Sequence, residues 1–237
     1  MHNTGRLSTV ILRVVRNRFS KQEEKVAIKF TEFFHRRPGM TSAAFLEHWQ
    51  QQHTGVVSAI EGLRRYIQNP AVGLIDCVPN PYDGMVEVWF DDLQAFDRLR
   101  KSDYWDTIVD DELRFVDRPS LQLFLSEESI PEPPEAGFKQ VYLLHRLPGQ
   151  SREAFQECAA AEVPLTEVPG LLSLQRMLSV ELDTNVSCAD AVEIWRFETL
   201  AALNAGMQNE AVTNACRERE SWATAQEPLT TEERVIR

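Results

Sequence analysis

Apolar and polar positions change period several times along the chain, and those changes mark its elements. From Lys25 to His35 the period is two. Val26, Ile28, Phe30 and Phe34 fall on one face and Ala27, Lys29, Thr31, Phe33 and His35 on the other, as in a strand. Arg36-Arg37-Pro38-Gly39 reads as a turn. Thr41 or Ser42 can cap a following helix, on which Phe45, Trp49 and His53 recur at i, i+4 and i+8 along one side. Arg64 to Asn69 is a second strand, stopped by Pro70, and 71–83 form a loop rich in glycine and proline. Gly84 to Phe90 alternates again, Val86, Val88 and Phe90 against Met85, Glu87 and Trp89. Asp91 and Asp92 open a helix with Leu93, Phe96 and Leu99 as its stripe. Ser102 and Asp103 can cap another that carries Tyr104, Trp105, Ile108 and Val109, and Ser120 to Leu125 is a fourth strand. The order β-α-β-β-α-β is the ferredoxin-like plan.

The pattern then repeats. His145-Arg146-Leu147-Pro148-Gly149 mirrors His35-Arg36-Arg37-Pro38-Gly39 110 positions on, with Ser151 for Thr41 and Phe155 for Phe45. Gly170-Leu171 answers Gly62-Leu63, Val192-Glu193-Ile194-Trp195 answers Val86-Glu87-Val88-Trp89, and Trp222 sits where Phe115 sits. Residues 25–128 are one repeat and 137–237 the other, joined through 129–136, the end of a run of prolines and glutamates that has nothing to bury. A sheet with helices on one face leaves its other face bare, and two such sheets can cover each other. The fold expected is α+β, two ferredoxin-like (βαββαβ) repeats closing into one intrachain α+β barrel. For the last strand of the second repeat, Val235-Ile236 is the only candidate.

Composition narrows the partners. The net charge of −11 and pI near 5 argue against nucleic acid and anionic membrane surfaces. No run of about 18 apolar residues predicts a membrane span, so a cytoplasmic protein is expected. Cys77, Cys158, Cys188 and Cys216 are scattered and fit neither a disulfide framework nor a zinc spacing. Residues 1–24 stand apart: Leu7, Val10, Ile11, Val14 and Val15 keep helical spacing among five basic residues, and the density of valine and isoleucine leaves a strand open. A basic helix on an acidic body can dock on a second copy, so a homodimer is an option.

Taken in order, Arg37-Pro38-Gly39, Phe45-x-x-x-Trp49-x-x-x-His53, Arg65-Tyr66-Ile67-Gln68-Asn69, Tyr82-Asp83-Gly84-x-x-Glu87-x-Trp89-Phe90 and Asp110 to Arg118 resemble the EthD family of dimeric α+β barrel proteins. The resemblance covers 26–128 well and 137–237 weakly. It implies small-molecule chemistry in the barrel or the cleft beside it, and it marks His53 as the family's helix histidine. Relatives of that family include proteins encoded with ether-degradation genes and fungal polyketide enzymes that decarboxylate or dehydrate phenolic substrates; neighbouring families of the same fold include cofactor-free quinone-forming monooxygenases and lactone isomerases. In the second repeat Ala159, Val163 and Cys158 stand for Trp49, His53 and His48, so the first repeat is expected to carry the site.

His53 is the leading acid/base candidate, since a shielded imidazole can titrate near neutrality; the alternative is a helix-capping histidine. His35, at a strand end, is a second proton carrier, although its counterpart His145 favours a structural role. His48 lies off the Trp49 face and reads as exposed. Tyr66 and Asn69 can hold a phenolic oxygen, while Phe33, Trp49, Trp89, Tyr104 and Trp105 can line an aromatic pocket or simply be core. Glu87 is read as a structural ion pair with Arg64 or Arg65, and Asp110-Asp111 as surface charge. His48 and His53 are i, i+5, about 140° apart on an α-helix, so they do not make a metal pair. No phosphate loop, nucleophile elbow or His-Glu-x-x-His is present. The function expected is a cofactor-independent lyase that removes a small group from a hydroxylated aromatic or polyketide-like substrate. The alternatives are a cofactor-free monooxygenase and a non-catalytic accessory protein.

Overall fold

The structure, a computed structural model, describes residues 13–14, 26–74, 80–129, 137–163, 165, 168–180 and 187–236. Of the N-terminal segment read as a helix only Arg13–Val14 is described, and it is a strand (β1). The rest of that segment and most of the 129–136 linker lie outside the described residues. The first repeat runs β2 (Val26–Phe34), α1 (Ser42–Glu47), a π-helical segment (His48–His53), α2 (Thr54–Ser58), β3 (Leu63–Pro70), β4 (Gly84–Phe90), α3 (Leu93–Arg100), α4 (Tyr104–Phe115) and β5 (Gln122–Ser129). The second runs β6 (Phe138–Arg146), α5 (Arg152–Ala159), β7 (Leu171–Leu178), β8 (Ala191–Phe197), α6 (Leu200–Gly206), α7 (Glu210–Glu220), β9 (Ala223–Ala225) and β10 (Leu229–Glu232), followed by β11 (Arg234–Val235). Caps start the helices where the sequence places them. Thr41 accepts from the Ala44 amide, Asp92 from Ala95 and Ser151 from Ala154.

The strands form two sheets, β11-β3-β4-β2-β5 and β1-β7-β8-β6-β10, each with the ferredoxin-like order at its centre. They do not close into one barrel, which corrects that expectation. Each sheet ends on a two-residue strand, and β5 meets the second half through loop amides, Val180 to the Leu125 carbonyl and Cys188 to Leu123, and through side chains such as Gln175 on Glu128, with no strand ladder among the described residues. The final strand also differs from expectation. β9 and β10 supply the second repeat's fourth strand along β6, while Val235 crosses to pair with Ile67 in the first sheet.

The ladders show how the halves correspond. Lys29 pairs with Trp89 and its counterpart Lys139 with Arg196, so Glu87 matches Ile194 and Val86 matches Glu193. The Val-Glu-x-Trp likeness is thus one residue out of register, and a one-residue slip turns every side chain to the other face. Glu87 points between the sheets. There it meets Lys29 at 2.6 Å and Lys139 at 2.5 Å, and Lys29 also meets Glu128 at 3.2 Å. The pairing of Glu87 with Arg64 or Arg65 is therefore corrected; Arg64 pairs with Asp91 on the surface. Glu193 faces the helices and binds Arg176, Arg219 and Trp195.

Candidate active site

The helix after β2 does not stay α-helical. Between His48 and His53 it widens into a π-helix, whose hydrogen bonds run i to i+5 and so place residues five apart roughly one above the other. The Trp49 carbonyl is taken up by the Gln68 side-chain amide, 2.9 Å, and Thr54 Oγ1 donates to the Gln50 carbonyl, 2.9 Å. The widening brings His48 and His53 to one carboxylate. Asp111 on α4 accepts at Oδ1 from His48 Nε2, 3.0 Å, and at Oδ2 meets His53 Nδ1, 2.8 Å. The Phe115 ring packs on both imidazoles, centroids 4.9 and 4.8 Å away. All three polar residues are buried. The i, i+5 argument fails here because it assumed an α-helix. Asp111, read as surface charge, is the residue that organises the site; its partner Asp110 is exposed.

The electrostatics set a direction for the proton. The hydrogen bond from His53 holds the Asp111 carboxyl below its ordinary value, against the burial that would raise it. Burial pushes the His53 imidazole down, with Asp111 opposing. A neutral His53 that donates from Nδ1 to an ionised Asp111 keeps the Nε2 lone pair free, the tautomer logic of an Asp-His pair. The ring lies on a cavity of about 20 Å³ lined by Glu32, Phe34, Trp49, His53, Val86, Glu112, Phe115, Val116 and Leu121. That is room for about one water molecule.

Glu32 is the second residue sequence reasoning missed. It occupies the one polar position on the apolar face of β2, between Phe30 and Phe34, which was the available signal. Burial pushes its carboxyl up to about 7, with Arg118 pulling the other way.

Of the expected site residues, His53 and Trp49 line the cavity and His48 joins through Asp111. Trp49 packs edge-on to Phe34 and over Gly84, where a Cβ would stand 2.6 Å from its ring. The others are elsewhere. His35 is 44% exposed by side chain, stacked on Tyr82 and 3.6 Å from Asp83. It belongs to a clamp repeated in the second half, where Arg36 binds Asp83 and Arg146 binds Asp190. Tyr66 and Asn69 alternate to opposite faces, Tyr66 under the Gln68 amide at 2.7 Å and Asn69 on Glu87 at 3.0 Å, so they cannot hold one oxygen together. Phe33 packs on Tyr82 and Trp89 lies beneath Lys29, both away from the cavity. Trp105 packs on Phe96, also outside it. Among the described residues no group of three or more His, Cys, Asp or Glu is arranged to hold a metal ion, and no helix is long and apolar enough to cross a membrane.

The fold has counterparts among known proteins. Over 89–90% of this chain and 92–94% of each neighbour, the fold matches three solved structures. One is an anthrone oxidase-like protein (13% identity, TM-score 0.60). Another is a Fusobacterium nucleatum protein of proposed monooxygenase activity (10%, 0.54). The third is a mutant chlorite dismutase from Candidatus Nitrospira defluvii (12%, 0.52). At such identities the likeness is one of fold. No curated protein matches the chain in sequence. The EthD domain model matches residues 37–119, which include Trp49, His48, His53 and Asp111. The histidine–aspartate cluster therefore lies within the stretch that is similar to the EthD domain.

Proposed function

We propose that this chain is a proton-transfer enzyme of the lyase class, acting without a cofactor on a hydroxylated aromatic or polyketide-like small molecule. The observation that carries the reading is a buried imidazole with Nδ1 tied to a carboxylate and its ring on a cavity. A phenol can stabilise a carbanion or quinone-methide intermediate itself, so the protein supplies placement and a base. His53 takes the proton. Asp111 fixes its tautomer and steadies the imidazolium. His48, on the other carboxylate oxygen, holds Asp111 in position. The cavity takes the reacting atoms and the small group that leaves, while the ring rests at the partly exposed rim formed by Glu112 and Leu121.

The test is a mass-spectrometric product screen on hydroxylated aromatic acids and alcohols, with and without oxygen. A loss of mass independent of oxygen is expected, with His53→Gln slower by at least about a hundredfold, within the range for general acid–base catalysis. A His53→Gln variant at the wild-type rate removes the imidazole from the mechanism. The likeness to an anthrone oxidase-like protein favours a second reading, oxygen-dependent quinone formation. Its signature is a gain of one oxygen atom, in air only.

A further inference from the structure

We propose that Glu32 is the proton donor of this site, and that the small group released is water. The inference rests on His53 being the base. Its ground is the shared cavity. Glu32, on β2, and His53, on the π-helical segment, line the same small space from the sheet side and the helix side. The groups that face Glu32 are His53 and Glu112 across the cavity, Arg118 beyond it, and Tyr66 from β3. None donates a hydrogen bond that occupies its carboxylate among the described residues, and Arg118 is itself engaged by Glu112. The carboxyl is therefore available to a substrate.

Two titratable groups on one cavity, one raised and one lowered, divide into an acid and a base. Decarboxylation needs a proton delivered only to carbon and must accommodate a three-atom product. Dehydration needs a base at carbon and an acid at the departing oxygen, and its product is one water molecule, the size of this cavity. The step balances without an oxidant. His53 Nε2 removes a proton from a substrate carbon, and the electron pair forms a carbon–carbon double bond. The bond from the adjacent carbon to its hydroxyl breaks, and Glu32 protonates the departing oxygen as water. The imidazolium then returns its proton to the Glu32 carboxylate across the emptied cavity.

The test uses the full chain and 4-hydroxy-4-(4-hydroxyphenyl)butan-2-one in deuterated water. This probe offers an acidic C–H beside its ketone, a hydroxyl on the next carbon and a phenol. Wild type is expected to form 4-(4-hydroxyphenyl)but-3-en-2-one with a bell-shaped pH profile. Glu32→Gln is expected to eliminate at least about a hundredfold more slowly, lose the alkaline limb, and still exchange the C–H for deuterium; Glu32→Asp recovers part of the rate. His53→Gln loses both exchange and elimination. A Glu32→Gln variant that eliminates at the wild-type rate overturns the role of Glu32, and a wild type that exchanges without eliminating overturns dehydration. A wild type that does neither overturns the base itself, and with it the reading beneath this one.

Discussion

Three side chains carry the proposed chemistry, and each is legible to a different degree. His53 stands out in the sequence because helical spacing carries it onto the Trp49 side, and it does line the cavity. Asp111 does not, because its role depends on where α4 lies against the π-helical segment, a tertiary fact. Glu32 was visible as a carboxylate among phenylalanines, but period-two reading sorts faces and does not question a residue that breaks the pattern. Its burial has a consequence for stability. A carboxyl whose folded pKa is raised contributes most below its unfolded value and loses that contribution as pH rises through the folded one. With a folded value of about 7, ionisation costs stability at alkaline pH. Glu32→Gln is therefore expected to raise unfolding stability at pH 8 by about 1–3 kcal/mol, discounted for the carboxyl's partial exposure, with the gain vanishing below about pH 4.5. Urea unfolding at the two pH values checks it; an equal gain at both would point to packing instead of charge.

At the scale of elements, one widened turn makes the site. On a straight α-helix His48 and His53 diverge by about 140°; in the π-helical segment both reach Asp111. Nothing in residues 48–53 announces this turn. What holds it comes from β3, where Gln68 bonds the Trp49 carbonyl and the Thr54 hydroxyl. Gln68→Leu removes the side-chain amide from that buried carbonyl, which Thr54 Oγ1 also approaches at 3.3 Å, at a cost of about 1–3 kcal/mol. The turn is then expected to revert toward α, separating the histidines, so the variant should lose turnover as well as thermal stability. A variant that loses stability at an unchanged rate would detach the π-turn from function. The helices and strands themselves were largely readable, since caps such as Thr41 and Asp92 and the alternation of β2 and β4 act locally. Register was not. The likeness of Val192-Glu193 to Val86-Glu87 was real in letters and off by one in space.

At the scale of the whole molecule, two ferredoxin-like halves share a charged interior. Glu87 sits between Lys29 and Lys139, residues that occupy matching positions in the two repeats. Burial opposes the Glu87 charge, but Lys139 and Lys29 outweigh it and hold the carboxyl well below its ordinary range. Such a carboxyl stabilises above its unfolded value and loses that contribution as pH falls through the folded one. Removing the charge leaves each buried ammonium with one carboxylate instead of two, Lys29 with Glu128 at 3.2 Å and Lys139 with Glu233 at 3.4 Å. Glu87→Gln is expected to cost about 3–5 kcal/mol at pH 7 and to flatten the acid limb of the stability curve. A cost below about 1 kcal/mol would show that Glu128 and Glu233 suffice for the lysines. The turn after the first strand of each half was legible, because Pro38-Gly39 and Pro148-Gly149 both place glycine at positive φ, 80° and 83°. The crossing of Val235 to the first sheet was not, since it depends on how the halves sit together.

The most direct measurement is the nitrogen NMR spectrum of His53, labelled on both ring nitrogens, near pH 7. The account expects a neutral ring with its proton on Nδ1 and a free lone pair on Nε2, a state that Asp111→Asn disturbs. An Nε2–H tautomer, or an imidazolium at that pH, would contradict it.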